Sequence, residues 1–313
     1  MRWLAPLARV LGSAALLGVL IWQLSPGDLA DAFASAEPVM IALAALVMLA
    51  ILVLMAGKWY MLARSRCPPV DALPLARAFF IGTLLNFVLP TGIGGDAYRV
   101  LRLRQLSDGR LTDASASVIF DRVTGYVGMA AFAALGAAFA FGGLAAGLSA
   151  LAGLGALVAV AAVLAGTLGA TASPDATPGL LPARSDIRPL VWAALISVGT
   201  HALYITCIAL VGNAYDLDVS WWYWGVVNFV TAAAALLPIS VGGLGVREGG
   251  FVALLAPLDV GAAEAASASL TVVFLIAAMS LLLLLPLELK MSRRWPRRVK
   301  AAAESTSSPH QQP

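Results

Sequence analysis

The chain has 313 residues, of which 60% are hydrophobic and 12% charged, with a mean hydropathy of +0.88. Soluble domains average about 25% charged residues, and a chain of this size cannot hide so much apolar surface in one aqueous core, so a water-soluble protein is excluded. The net charge of +3 comes from bases that mostly flank apolar runs, which indicates membrane orientation and not nucleic-acid binding.

Six apolar runs are long enough to cross a bilayer, which takes about 20 residues. They cover 8–24, 38–57, 114–142, 146–170, 189–212 and 265–289. Two others, 74–90 and 222–257, are short or broken by Pro and a Gly cluster. Residues 1–36, with Arg2, Arg9 and Ala34-Ser35-Ala36, also loosely fit a cleavable signal. Cleavage would remove one span, and the segment is read here as a retained span.

Charge sets the expected orientation. The connections 25–37, 213–220 and 257–264 carry acids and no base, whereas 58–77, 99–110, 184–188 and 290–300 are basic. The positive-inside rule then places both termini in the cytoplasm. Run 74–90 has bases on both flanks, so it is expected to enter and leave from the cytoplasmic side. Run 222–257 has acidic flanks and is expected to enter and leave from outside. Irregular backbone at such depth needs cover from protein or a water-filled cavity.

The two broken runs share a motif. Leu89-Pro90-Thr91-Gly92-Ile93-Gly94-Gly95 aligns without a gap on Leu237-Pro238-Ile239-Ser240-Val241-Gly242-Gly243, and an arginine follows each, Arg99 and Arg247. Each half reads as span, span, re-entrant element, span, and three spans reverse the side on which the second half begins. Inverted repeats of this kind place binding sites where broken helices meet. The prediction is therefore an all-α integral membrane protein of about six transmembrane helices plus two re-entrant helical elements. Residues 1–289 form one domain with inverted halves at about 1–142 and 146–289, and 290–313 is a basic, disordered cytoplasmic tail.

Several polar residues fall where hydrocarbon is expected. Asp121 and Arg122 lie inside the run 114–142, where a charge costs roughly 2.5–3.5 kcal/mol on insertion scales. Asp96, Arg99, Arg247 and Glu248 are the expected partners; alternatively, the pair is interfacial and Arg122 snorkels to the surface. The Gly-rich turns lead towards helix N-termini that attract anions, with Arg99 and Arg247 adding charge-assisted bonds to phosphate. Pro90 and Pro238 break the preceding helices, and the glycines permit close backbone approach or, alternatively, close helix packing. No Gly-Lys-Ser/Thr follows either turn, so neither is a P-loop.

The stretch 96–104 is a basic amphipathic segment that serves as an inner anchor or holds anionic headgroups. Trp221, Trp222, Tyr223 and Trp224 are read as outer-interface anchors, and Lys58, Trp59 and Tyr60 as inner ones. His201 reads as a satisfied buried side chain. Cys67 and Cys207, with His201 and His310, suggest no disulfide framework and no metal site. No cofactor is expected.

Three segments together resemble the lysylphosphatidylglycerol synthase transmembrane-region family, also called flippase-like membrane proteins. They are Asn86-Phe87-Val88-Leu89-Pro90-Thr91-Gly92-Ile93-Gly94-Gly95-Asp96, Ser117-Val118-Ile119-Phe120-Asp121-Arg122-Val123-Thr124-Gly125, and Pro238-Ile239-Ser240-Val241-Gly242-Gly243-Leu244-Gly245-Val246-Arg247-Glu248. They occur in the family's order, and the resemblance covers nearly the whole chain. It implies translocation of a lipid, or an accessory role. The bifunctional members carry a soluble domain for lipid aminoacylation, which this sequence lacks.

The expected function is a lipid translocase in the bacterial inner membrane, moving an anionic or aminoacylated phospholipid or a polyprenyl-phosphate lipid. Its candidate binding residues are Asn86, Pro90, Thr91, Gly94, Gly95, Asp96, Arg99, Asp121, Arg122, Pro238, Gly242, Gly243, Gly245, Arg247 and Glu248. No catalytic residue is assigned. Expected partners are membrane lipids with anionic headgroups and a separate lipid-modifying or glycosyltransferase enzyme; nucleic acid is not expected. The alternatives are an integral-membrane transferase acting on a lipid phosphate and a non-transporting scaffold. The first lacks an activated Ser or Cys and a His/Asp metal spacing in the sequence.

Overall fold

The computed structural model describes residues 26–89, 94–141, 143, 186–235 and 243–306. The expected spans at 8–24 and 146–170, together with Pro90, Thr91, Pro238 and Gly242, lie outside the described residues. Among the described residues every regular element is a helix. Four of the described helices are long and apolar enough to cross a membrane: α2 (Pro38–Arg66), α5 (Leu111–Phe141), α6 (Ile187–Ala214) and the first part of α9 (Ala262–Thr306). The remaining helices are short: α1 (Pro26–Ser35), α3 (Ala72–Val88), α4 (Gly94–Leu106), α7 (Trp221–Ala235) and α8 (Val246–Leu255). A 3₁₀ turn at Ala256–Leu258 follows α8.

Helices α2 and α6 form an antiparallel pair fixed at both ends. Pro38 occupies the first turn of α2, where its missing N–H costs no intrahelical bond. The backbone N–H of Glu37, just before it, donates to the carbonyl of Ala214 at the end of α6 at 2.8 Å. At the other end, Arg66 pairs with Asp186 at the start of α6 and lies 3.6 Å from Asp113 at the start of α5. Both faces of α2 are apolar: Ala44, Met48, Ile51 and Leu62 point into the protein, whereas Val39, Leu46 and Val53 are exposed. In a bilayer that exposed face meets lipid tails.

The short helices form two hairpins of opposite entry. The first, α3–α4, begins after α2 and ends before α5, so both its ends lie at the Arg66 end of the bundle. Arg77 near the start of α3 pairs with Glu288 near the far end of the apolar part of α9. The second, α7–α8, begins after α6 and ends before α9. Its ends lie at the opposite end, where Tyr215 Oη and Thr271 Oγ1 share a hydrogen bond of 2.7 Å. Each hairpin rests one limb on α5 (α4 and α7) and the other on α9 (α3 and α8). With 17 residues at 1.5 Å each, α3 is about 25 Å long, short of a typical 30 Å hydrocarbon core.

The first hairpin closes on glycine. A Cβ on Gly95 would stand 1.9 Å from the Gly82 carbonyl oxygen, and one on Gly82 would stand 2.9 Å from that of Gly95. The α3–α4 backbones therefore touch, and the Gly95 N–H donates to Asn86 Oδ1 at 2.9 Å. At the tip of the second hairpin Gly243 and Gly245 have φ of +80° and +83°, a region that side chains with a Cβ rarely adopt.

Two expectations are revised. Helix α9 continues to Thr306, covering much of the segment expected to be a disordered tail; 301–304 is Ala-Ala-Ala-Glu, which favours helix propagation. Lys58, Trp59 and Trp224 are not interface anchors, being 3%, 0% and 0% exposed. Trp59 packs on Phe79 and Trp224 on Phe251, with ring centroids 6.3 and 6.0 Å apart.

Replacing Gly95 by Ala should lower stability by about 1–3 kcal/mol, because backbone must move to admit the methyl group. Gly57→Ala, with nothing within 4 Å of its Cβ, should be neutral or mildly stabilising. Denaturation of both variants in the same detergent measures the difference; equal stabilities would contradict the close α3–α4 contact.

Candidate functional site: a charged cavity between the two hairpins

A cavity of 360 Å³ opens where the two hairpin tips face α2, α5 and α6. Thr83, Asn86 and Arg99 reach it from the first hairpin, and Asn228, Thr231 and Arg247 from the second. Its volume corresponds to about a dozen water molecules at roughly 30 Å³ each, the scale of a polar headgroup. Its remaining lining includes Phe79, Phe87, Met129 and Tyr204, so charge is set in an otherwise apolar wall.

Five charges form an alternating chain along this wall. Lys58 Nζ lies 3.0 Å from Asp121 Oδ1, and Arg99 Nη2 donates to Asp121 Oδ2 at 2.7 Å. Arg99 Nη1 reaches Asp96 Oδ1 at 3.3 Å, and Arg122 Nε donates to Asp96 Oδ2 at 2.8 Å. The residues come from α2, α4 and α5, so the chain joins the first hairpin to two spans. Asp121 and Arg122 are consecutive on α5 and point about 100° apart. Asp121 therefore meets Lys58 and Arg99, while Arg122 turns to Asp96 and remains 42% exposed at its side chain.

Lys58 is held by an ion pair and two hydrogen bonds. Besides its ion pair with the Asp121 carboxylate, it donates to the Asp121 backbone carbonyl and to Ser197 Oγ, each at 3.0 Å. These bonds use two of the three N–H donors of its ammonium group. The Arg99 guanidinium lies over Trp59 and Phe79, 4.2 and 5.1 Å from the ring centroids. These faces attract a cation and compensate for lost water. His201, also on the cavity wall, has Nδ1 2.8 Å from the Ser197 carbonyl; only a protonated Nδ1 can donate there.

The second hairpin is arranged differently. Glu248 is 1% exposed, and its Oε2 accepts the Gly245 N–H at 2.6 Å, capping α8. Arg247, beside it, lines the cavity with Nη1 buried and without a hydrogen-bond partner. Both second limbs, α4 and α8, thus carry an acid in the first turn, Asp96 and Glu248, which suits the helix dipole.

A family model described as the lysylphosphatidylglycerol synthase TM region matches residues 7–284. The chain belongs to this family. No curated protein matches it. The family match spans both hairpins and all the charges of the cavity, and identifies the chain as a multi-pass membrane protein related to lipid handling.

In this family member the structure gathers most of the sequence-derived candidates. Asn86, Arg99, Asp121, Arg122 and Arg247 line the cavity, and Asp96 bridges two of its arginines. Gly94, Gly95, Gly243 and Gly245 shape the hairpin tips. The anion site expected at helix N-termini finds competition, because the Gly95 and Gly245 amides already have the side-chain acceptors Asn86 and Glu248. Sequence reasoning missed Lys58, Ser197, Asn228 and Thr231. The available signal for Lys58 was that apolar residues continue past it, through Met61 and Leu62, so the base lies inside the run and not at its end.

Asp121→Asn should destabilise the protein by about 3–5 kcal/mol, since it leaves Lys58 and Arg99 buried against a neutral amide. Combining it with Lys58→Met should cost less than the sum of the two single changes. A double-mutant cycle by denaturation in detergent checks this; strict additivity would mean that the two side chains do not interact.

Proposed function

We propose that this protein is a lipid translocase. The observation that carries the reading is a headgroup-sized cavity between two opposed hairpins, lined by Arg247, whose buried Nη1 has no hydrogen-bond partner and which forms no ion pair among the described residues. A phosphate oxygen is the natural partner for such a group. The headgroup occupies the cavity while the acyl tails stay in lipid, so the charge never crosses bare hydrocarbon. Arg247 takes the phosphate; the chain from Lys58 to Arg122 keeps the other buried charges compensated and forms the polar wall.

The shared Leu-Pro and Gly-Gly motif and the opposite entry of the hairpins support an inverted repeat. Rocking of the two halves would expose the cavity alternately to each side. Basic flanks at the Arg66 end support a cytoplasmic position for that end and for both termini. A separate lipid-modifying enzyme would supply the substrate.

Reconstituted into vesicles with fluorescent phosphatidylglycerol, lysyl-phosphatidylglycerol or a short polyprenyl phosphate, the protein should move at least one of them across the bilayer. Arg247→Gln should reduce the rate by tenfold or more, about 1.4 kcal/mol for one charge-assisted bond. Folded protein that moves none of these lipids, with and without an imposed ion gradient, would favour a transferase or scaffold instead. The repeat has its own check. In a background without Cys67 and Cys207, Thr91→Cys and Ser240→Cys should react with impermeant reagents under conditions that favour opposite faces. Labelling of both from one face only would rule the inverted arrangement out.

A further inference from the structure

Among the described residues, the charges around the cavity are unequal in number. Lys58, Arg99, Arg122 and Arg247 line it; Asp121 lines it, Asp96 bridges two of its arginines, and Glu248 adjoins Arg247. Four bases against three acids leave one positive charge in excess. The excess is localised. Lys58, Arg99 and Arg122 each have a carboxylate at 3.0 Å or closer, whereas Arg247 Nη1 has no partner. A buried guanidinium nitrogen without a hydrogen-bond partner is unfavourable, and an anion in the cavity would supply one.

We propose that the cavity selects headgroups of net charge −1, and that Lys58 sets this preference. The inference rests on the translocase reading, because it takes the occupant to be a lipid headgroup. Lys58 is fixed in the wall by its ion pair with Asp121 and by two hydrogen bonds, to the Asp121 carbonyl and Ser197 Oγ. It acts as a fixed charge. Without it, three bases would face three acids and a zwitterionic headgroup would fit as well as an anionic one. With it, a monoanionic phosphate ester such as phosphatidylglycerol brings the total to zero. A headgroup that adds two ammonium groups to the phosphate would raise the total to +2. Lys58 is thus a specificity-determining residue, and the cavity disfavours a net-cationic lipid.

The test measures binding separately from transport. Purified full-length protein in neutral detergent is titrated with phosphatidylglycerol, phosphatidylethanolamine, lysyl-phosphatidylglycerol and the tail-free headgroup glycerophosphoglycerol, and binding is read by thermal shift and native mass spectrometry. Wild type should bind phosphatidylglycerol about tenfold or more tightly than phosphatidylethanolamine or lysyl-phosphatidylglycerol. Lys58→Gln should reduce that advantage to about threefold or less, and Lys58→Arg should keep it. The double variant Lys58→Met with Asp121→Asn removes one charge of each sign, preserves the excess, and should retain the preference even if Lys58→Gln fails to fold. Equal binding of the three lipids by wild type overturns the proposal, as does a folded Lys58→Gln with undiminished preference or a folded double variant that has lost it.

Binding of phosphatidylglycerol but not glycerophosphoglycerol assigns the anion to a lipid. Equal binding of both assigns it to a soluble phosphate ester under the same charge rule. Charge-selective binding without transbilayer movement would overturn the translocase reading and leave the charge rule standing; movement without charge selection would do the reverse.

Discussion

The Asp121 carboxylate, held between Lys58 and Arg99, is the contact on which the rest of the site depends. Each partner comes from a different element, α2 on one side and the first hairpin on the other, and all three side chains are at least nine-tenths buried. Removing Asp121 leaves Lys58 without a carboxylate in a region of low dielectric. That constraint positions α4 against α5 and fixes the face of α5 that turns inward. Arg122 is thereby directed to Asp96, and the alternating chain follows from one helical rotation of about 100° between adjacent residues.

The hairpins are held by a different kind of interaction. Backbone meets backbone at Gly82 and Gly95, and side-chain acceptors complete the amides that open each second limb. These contacts are local to each hairpin and independent of the charges. The first hairpin is tied into the ion chain through Asp96 and Arg99, whereas the second contributes Arg247 without a counter-ion. The two hairpins are therefore alike in construction and unlike in electrostatics. Such asymmetry suits a site in which one wall is permanent and the other awaits a ligand.

Much of the fold could be read from the chain. Apolar runs of about 20 residues gave the spans at 38–57, 114–142, 189–212 and 265–289, and the helices Pro38–Arg66, Leu111–Phe141, Ile187–Ala214 and Ala262–Thr306 lie over them. The paired Pro and Gly-Gly motifs located both hairpin tips. Lys58 was misplaced because a base at the end of an apolar run is normally an interfacial anchor. Only the packing of α2 against α5 and α6 shows that it faces Asp121 and Ser197 instead of the surface. Trp224 was misread for the same reason: an aromatic cluster after an acidic loop suits an interface, yet its ring packs against Phe251 on the returning limb.

The sequence by itself determined that the chain lives in a membrane, that its helices are broken twice in corresponding places, and which charges must be sheltered from lipid. These follow from hydropathy and from the cost of buried charge, both of which are properties of a residue and its near neighbours. The tertiary structure decided which charge meets which, that the Gly95 and Gly245 amides are already capped, and that, among the described residues, Arg247 alone of the cavity's bases lacks a carboxylate. Ion pairing and net cavity charge arise from side chains brought together from four helices, α2, α4, α5 and α8, and no local pattern specifies distances between residues tens of positions apart.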